Sequence, residues 1–353
     1  MSQIALAFLD ALLTDQEMAK LMGTEADIAA MLRFETELAA AQAELGMIPA
    51  DHAEAIRSGV ATFSPDVAAL TRAVLKDGVA PPDLIRQLRA HIGGEAAKSL
   101  HVGATSQDVI DTALALKLKL ALELLESRLG AVTAALSALV ASQGDHALMG
   151  RTRMQAAIPI TARDRIEAWR APLARALHDL ADASARNLIL TLAGAAGTSD
   201  KYGDKAEALR ALLTARLGLS APDYTPHAQR DRIVALGSWL SQVTGALGKM
   251  GQDAALMAQN EMAEIVMSGG GASSAMAHKQ NPVLAETLVA LARFNAVQIS
   301  GLHQSLVHEQ ERSGAAWTLE WMILPPMLNA TATALAHAET LVASIRSVGK
   351  PNP

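Results

Sequence analysis

The chain has no cysteine, and only 3% of its residues are aromatic. The first absence excludes disulfide staples and thiolate metal sites. The second, with sparse β-branched runs, disfavours sheets and points to long, closely packed helices in an alanine- and leucine-rich chain. Positive charge is also short. With 30 Lys and Arg against 36 Asp and Glu, the formal charge is −6, which argues against a nucleic-acid footprint. No run of roughly 18 or more uncharged apolar residues occurs, so no membrane span is expected. The opening MSQIALAFLDALLTDQEM lacks a basic flank and carries Asp10 inside its apolar run, which reads as helix rather than signal peptide. A soluble cytoplasmic protein is the expectation.

What is present is helix. At 353 residues the chain can bury a large core. Residues 24–46 form one strongly helical stretch, with Gly46 a natural stop and Pro49 beyond it. Pro82-Asp83 opens another, ended by Gly93-Gly94. After His101 the character changes, and five long tracts follow, at 108–143, 161–192, 230–267, 282–308 and 324–347. We expect a small helical domain over residues 1–104 and a long-helix bundle over 105–353. In LALKLKLALELLESRLGAVTAALSALV the apolar residues fill more than one stripe, the mark of a helix buried on several sides. A lone five-helix bundle leaves too much of that surface wet, so oligomerisation is expected.

Three segments carry candidate chemistry. The first in importance is GGGASSAMAHKQNP, residues 269–282. A plain Gly/Ser connector fits the composition, but not a basic pair followed by Asn-Pro. Asn281 is a favoured N-cap type and Pro282 suits the first helical position. The loop then delivers Ser273, Ser274 and Lys279 beside a helix N-terminus, where oxyanions are stabilised. In HVGATSQDVIDTA, residues 101–113, Thr105 and Asp108 have the spacing of a capping box. In MGRTRMQAAIPIT, residues 149–161, an irregular segment alternates Arg151 and Arg153 with Thr152, ahead of Gln155 and of Thr161 and Asp164, which cap the next helix. Taken alone, it fits a solvated basic loop equally well. Competing motifs fail: there is no phosphate-binding Gly-x-x-x-x-Gly-Lys, no Gly-x-Ser-x-Gly, and His303 and His308 lack zinc-protease spacing.

ASSAMAHKQNP resembles the signature loop of the fumarase/aspartase superfamily, GSSxMPxKxNP. Ser273, Ser274, Met276, Lys279, Asn281 and Pro282 match in register, while Ala272 and Ala277 replace the usual Gly and Pro. The segment at His101 resembles the family's H-x-G-x-T-S-x-D. The segment at Gly150 resembles its G-R-[ST]-H-x-Q-x-A-x-P-x-T, with Arg153 in place of the lyase histidine. Arginine stays protonated at any useful pH and cannot shuttle a proton as histidine does. Together with AHKQNPVLAE and HEQERSGAAWTLEWMILPPM, this departure makes the chain most similar to the bacterial 3-carboxy-cis,cis-muconate cycloisomerase branch.

The resemblance implies an all-α, fumarase/aspartase-type fold with five long helices per chain in a tetrameric twenty-helix core. It implies active sites shared by three subunits; many members continue through a third, C-terminal helical domain, and this chain, which stops at Pro353 after the fifth tract, is expected to depart from them in lacking it. It implies Ser273, Lys279, Asn281 and His101 as catalytic, with Ser273 exchanging the proton α to a carboxylate. Thr105, Ser106, Gln107, Arg151, Thr152, Arg153, Gln155, Ser274, Met276, Glu286 and Arg312 form the implied binding set. Glu286 matches the glutamate that orients the missing histidine, so an ion pair with Arg153 is expected. A small polycarboxylate is the implied substrate, without cofactor or metal, and lactonisation of 3-carboxy-cis,cis-muconate is the implied reaction. A 3-sulfomuconate cycloisomerase, an argininosuccinate- or adenylosuccinate-type lyase releasing fumarate, and a non-catalytic scaffold are the alternatives.

Overall fold

The Thr105 side chain accepts from the backbone N–H of Asp108, and the Thr105 N–H donates to Asp108 Oδ2 at 3.0 Å. With these donors satisfied at its start, and no proline within it, the following helix runs for 38 residues. The computed structural model describes residues 7–272, 276 and 280–351. Helices α1 (Asp10–Leu13), α2 (Gln16–Leu21), α3 (Thr24–Glu44), α4 (Ala50–Thr62), α5 (Val67–Asp77) and α6 (Pro81–Ile92) precede that long helix, α7 (Ser106–Gln143). A hairpin of β1 (Ala147–Thr152) and β2 (Gln155–Thr161) leads to α8 (Ala162–Asn187), α9 (Ala206–Leu217) and α10 (Asp231–Met257). Then come β3 (Ile265–Met267), β4 (Gly271–Ala272), β5 (Gln280–Asn281), α11 (Val283–Gln304), α12 (Gly314–Ser344) and β6 (Ile345–Val348), the last antiparallel to β3.

The five long tracts correspond to α7, α8, α10, α11 and α12, and the structure departs from the expected boundaries in the opening segment and at several tract ends. The opening helix breaks at Thr14, because Asp15 caps a new one: it accepts from the Met18 N–H at 2.8 Å and from Arg128 at 2.6 Å. The third tract ends at Met257 rather than 267, because residues 265–267 pair with β6. The last helix begins at Gly314, upstream of the expected start at 324, where Ser313 Oγ accepts from the Ala316 N–H at 3.1 Å. It continues through Pro325 and Pro326. Asn281 does not cap α11; it pairs with Gly271 in an extended ladder, and Pro282 takes the cap position.

One apolar core joins α7, α8, α10, α11 and α12. Leu118, Leu125, Leu129 and Leu136, fully buried along α7, each contribute about 1.5–3 kcal/mol of transfer free energy. Glycines let α10 and α11 approach closely. A Cβ on Gly251 would lie 2.5 Å from the Ala285 carbonyl, and one on Gly248 2.5 Å from the Ala292 Cβ. Inside this contact Asn295 of α11 donates to Thr331 Oγ1 of α12 at 3.0 Å and to Thr244 Oγ1 of α10 at 3.3 Å. A buried amide with so few available partners pins the relative register of the three helices.

A second core gathers Phe34, Leu38, Ile56, Leu84 and Leu88 around Val109, Ala113 and Leu116 of α7, together with Leu209, Leu213 and Leu217 of α9. The N-terminal half of α7 therefore serves both cores. The division at residue 104 stands as our proposal for the domain boundary. By length and composition α7 and α11 could each cross a membrane, with windows of mean hydropathy 1.4 and 1.2. Within the fold, part of each apolar surface packs against α8, α10 and α12, while Leu120 of α7 and Val297 of α11 stay exposed.

Between the two cores lies a fully buried ion cluster. Arg230, just before α10, donates to Asp111 of α7 at 2.6 and 3.1 Å and to Glu320 of α12 at 2.5 and 2.8 Å. Burial alone would raise the Asp111 pKa, but the Arg230 charge and its hydrogen bonds hold it below the usual carboxylate range. Arg230→Met leaves two carboxylates buried without their cation. We expect a loss of about 3–5 kcal/mol, read from urea unfolding midpoints, and an unchanged midpoint would remove the cluster from the stability of this end.

Candidate active site

The N-terminal end of α7 is held by its neighbours through backbone and side chain alike. Arg89 of α6 donates to the Leu100 carbonyl at 2.9 Å, and Gln42 of α3 to the Val102 carbonyl at 2.8 Å. His101 between them has φ 62°, a left-handed conformation that residues other than glycine seldom adopt. Its Nδ1 lies 2.6 Å from Oε1 of the buried Glu35. Gly103, at φ 77°, leaves room for the Tyr202 ring, which any Cβ there would strike. Asp108, itself buried, does more than close the capping box. Its Oδ1 accepts from the Ala193 N–H at 2.9 Å and lies 2.9 Å from His227 Nε2, and its Oδ2 accepts from the Gly194 N–H at 3.0 Å.

Gln107 is also fully buried. Its amide donates to the His227 carbonyl at 2.8 Å and to Asp111 at 3.2 Å, and it accepts from Arg312 Nε at 2.7 Å. Arg312 donates further to the Ala195 carbonyl at 3.1 Å. Within one chain, Gln107 and Arg312 therefore tie the loop before α12 to the start of α7, while Thr105 and Ser106 remain partly open to solvent. His308 on that loop has no hydrogen-bond partner for either ring nitrogen among the described residues. Burial and then the Arg230 charge hold it below the ordinary imidazole range, which favours the neutral ring. His101 behaves oppositely. Burial disfavours its charge, but the Glu35 charge and hydrogen bond outweigh that and raise its pKa.

The other end of α7 carries a different set. The segment expected to be irregular is a β-hairpin, β1 on β2, whose register slips between Met149 and Arg151. Gly150 sits at that bulge, where a Cβ would lie 2.9 Å from the Ile158 carbonyl. Arg153 and Met154 make the two-residue turn at φ 49° and 67°, the positive pair that suits the twist of a tight hairpin. Arg153 is thus at the exposed tip, beside the paired and exposed Thr152 and Gln155. Arg151 pairs instead with Glu264, just before β3, at 2.7 Å. Asn281 and Glu286 lie nearby in sequence at the start of α11, and Met276 is exposed. Ser273, Ser274 and Lys279 lie outside the described residues. No ion pair joins Arg153 to Glu286 within the chain, among the described residues.

These two sets are held apart by α7 itself. At 1.5 Å per residue, its 38 residues span about 57 Å. His101, Thr105, Ser106 and Arg312 are at one end. Arg151, Arg153, Asn281 and Glu286 are at the other. One chain cannot bring them to a single small molecule.

Sequence reading passed over Glu35, His227, Tyr202 and Glu264. Glu35 left a signal, since with Met31, Leu38 and Gln42 it occupies one face of α3 at heptad spacing. A charge inside such a stripe asks for a buried partner. His227 and Glu264 left none, because their partners are distant in sequence.

Comparison with known proteins adds an independent line. The sequence profile of a family described as Lyase matches residues 10–301. A 3-carboxy-cis,cis-muconate cycloisomerase from Pseudomonas aeruginosa is 36% identical over 314 residues, covering 87% of this chain and 68% of that protein. An N-acetyl-S-(2-succino)cysteine lyase from Enterococcus italicus is 32% identical, over 88% of this chain and 69% of its own length. The crystal structure of 3-carboxy-cis,cis-muconate lactonizing enzyme from Pseudomonas putida superposes with a TM-score of 0.90 at 33% identity, covering 96% of this chain and 77% of that one.

Replacing Asp108 by Asn turns one acceptor oxygen into a donor facing backbone N–H groups. We expect a cost of about 1–3 kcal/mol and hydrogen exchange at Ala193 and Gly194 faster by about tenfold or more. Unchanged protection at both amides would show that Asp108 is not what ties that loop to α7.

Proposed function

The chain belongs to the lyase family of the fumarase/aspartase type, and on that premise we propose that it is a cycloisomerase closing 3-carboxy-cis,cis-muconate to 4-carboxymuconolactone. The observation that carries this reading is Arg153. At the position where the elimination lyases place a histidine, the hairpin tip presents a permanent cation. A site built this way grips a polyanion and takes its proton chemistry from elsewhere.

In the reaction one carboxylate oxygen bonds to an alkene carbon, and the alkene pair shifts toward the neighbouring carbon. Charge collects on a second carboxylate as an enolate until that neighbouring carbon takes a proton. Atoms and electrons are conserved, so the step is an isomerisation. Ser273 is the proposed proton donor, with Lys279, Asn281 and the α11 N-terminus aimed at the enolate, and Thr105 and Ser106 at a carboxylate. A single exposed ion contact at 4 Å is worth only about 1 kcal/mol. Recognition of three carboxylates therefore needs several cations, Arg151, Arg153 and Lys279 among them, in a drier pocket. Gln155, Ser274, Met276 and Thr152 complete the proposed lining. A 3-sulfomuconate is the close variant that Arg153 would also suit.

The proposed assembly is a homotetramer whose sites draw on three chains. Its support is the span of α7, together with apolar side chains left open on the single chain, such as Val297 at 70% and Val307 at 73% exposure. The second reading, elimination from a succinyl-type substrate with release of fumarate, is favoured by the likeness to the succinocysteine lyase.

The deciding assay follows loss of diene absorbance with 3-carboxymuconate and, in parallel, fumarate release from succinyl substrates. Diene loss without fumarate supports the cycloisomerase, and the converse pattern the lyase. With the diene substrate, Ser273→Ala should lower kcat by roughly 10²–10⁴-fold, and near-normal turnover would take Ser273 out of the proton step. Co-refolding a His101→Ala chain with a Lys279→Ala chain should recover about a quarter of wild-type activity by random mixing across shared sites. No gain over the separate variants would return both residues to one chain.

A further inference from the structure

We propose that Glu35 is a positioning residue of the candidate site, holding the His101 ring from inside α3 as an imidazolium whose Nε2–H faces outward toward a substrate carboxylate. The inference rests on the proposed function only for the identity of that anion.

The geometry begins with burial. Glu35 is fully buried, and a lone carboxylate in that position costs several kcal/mol or neutralises itself. The hydrogen bond it makes is to His101 Nδ1, at 2.6 Å, and its other oxygen has no partner among the described residues. The nearby charged groups are Arg89 of α6 and Asp108 of α7, both acting on the His101 ring. The phenol of Tyr202, buried without a partner, also lies within reach of the Glu35 and Asp108 charges, which together with burial push its pKa up. Arg89 donates a hydrogen bond to the Leu100 carbonyl, so the ring is the group left to answer the Glu35 charge directly.

The second observation is the backbone. A left-handed φ at a residue other than glycine costs roughly 1–2 kcal/mol, yet His101 adopts φ 62° with clamps on the carbonyls either side of it. With Nδ1 held against the buried Glu35, the 17% of the side chain left exposed is assigned to the opposite edge of the ring. His101 lies five residues before Ser106, on the loop that leads into α7. A histidine whose inner nitrogen is tied to a carboxylate presents its other nitrogen in a fixed orientation and protonation state.

The sign of the effect is definite. The Glu35 partner raises the folded pKa of His101. Its contribution is complete below the unfolded imidazole value, about 6.5, and fades as pH rises through the folded value. Glu35→Gln keeps the shape and an acceptor but removes the charge. We expect the titration of His101, followed by NMR with selective 13C labelling at histidine Cε1, to move to lower pH in that variant. The alkaline limb of kcat/KM should move with it, so that the variant loses about tenfold to a hundredfold above the limb and far less below it. A purely structural role would lower activity equally across pH.

An unmoved titration with a pH-independent loss would overturn the proposal. Should the variant not fold, the wild-type protein still decides: His101 titrating at or below the ordinary imidazole range refutes the pairing. Inactivity of the wild type on 3-carboxymuconate sinks the substrate reading instead, and leaves the NMR result to judge Glu35 alone.

Discussion

A helix of 38 residues is a rod of about 57 Å, and the rest of the molecule is arranged along it. Helix α7 keeps its length because its first turn is capped reciprocally and no proline interrupts it. Its buried apolar side chains are divided between two cores rather than one. Whatever chemistry the chain carries is therefore sorted to the rod's two ends before any ligand arrives. A site that needs both ends has to be completed by another copy lying the other way, and this is the physical content of proposing shared sites.

The two ends differ in kind. At the start of α7 the groups are buried, charged and tightly tied. Asp108 gathers the 193–194 backbone and His227, Gln107 receives Arg312, and Arg230 binds Asp111 and Glu320. Each carboxylate there needs its partner because unpaired charge is so costly away from water. The result is a rigid platform on which His101, Thr105 and Ser106 stand at the edge. At the far end the described groups are exposed on a hairpin tip and a short ladder. Such a division suits a polyanion held against a stiff surface by basic side chains reaching in from elsewhere.

The caps were legible in the sequence because capping is local: Thr105 with Asp108, and Thr161 with Asp164, satisfy donors three residues away. The long tracts were legible for the same reason, their periodicity needing no knowledge of neighbours. Local reading failed where the partner was distant. Residues 265–267 looked like a continuation of α10, and only pairing with 345–348 makes them a strand. The turn at Arg153-Met154 carries no glycine or asparagine, so the hairpin left no turn signal. Asn281 has the chemistry of a cap, but its pairing with Gly271 moves the helix start beyond it.

By itself, then, the sequence determined the helical class, the capped starts of α7 and α8, the family, and which side chains match its signature segments. These depend on spacing and residue type over a few turns of chain. Tertiary structure alone decided that the described signature groups sit at opposite ends of one rod, that Gln107 faces inward, and that Glu35 lies against His101. Those facts depend on which surfaces meet when distant segments pack, and no local pattern encodes that meeting.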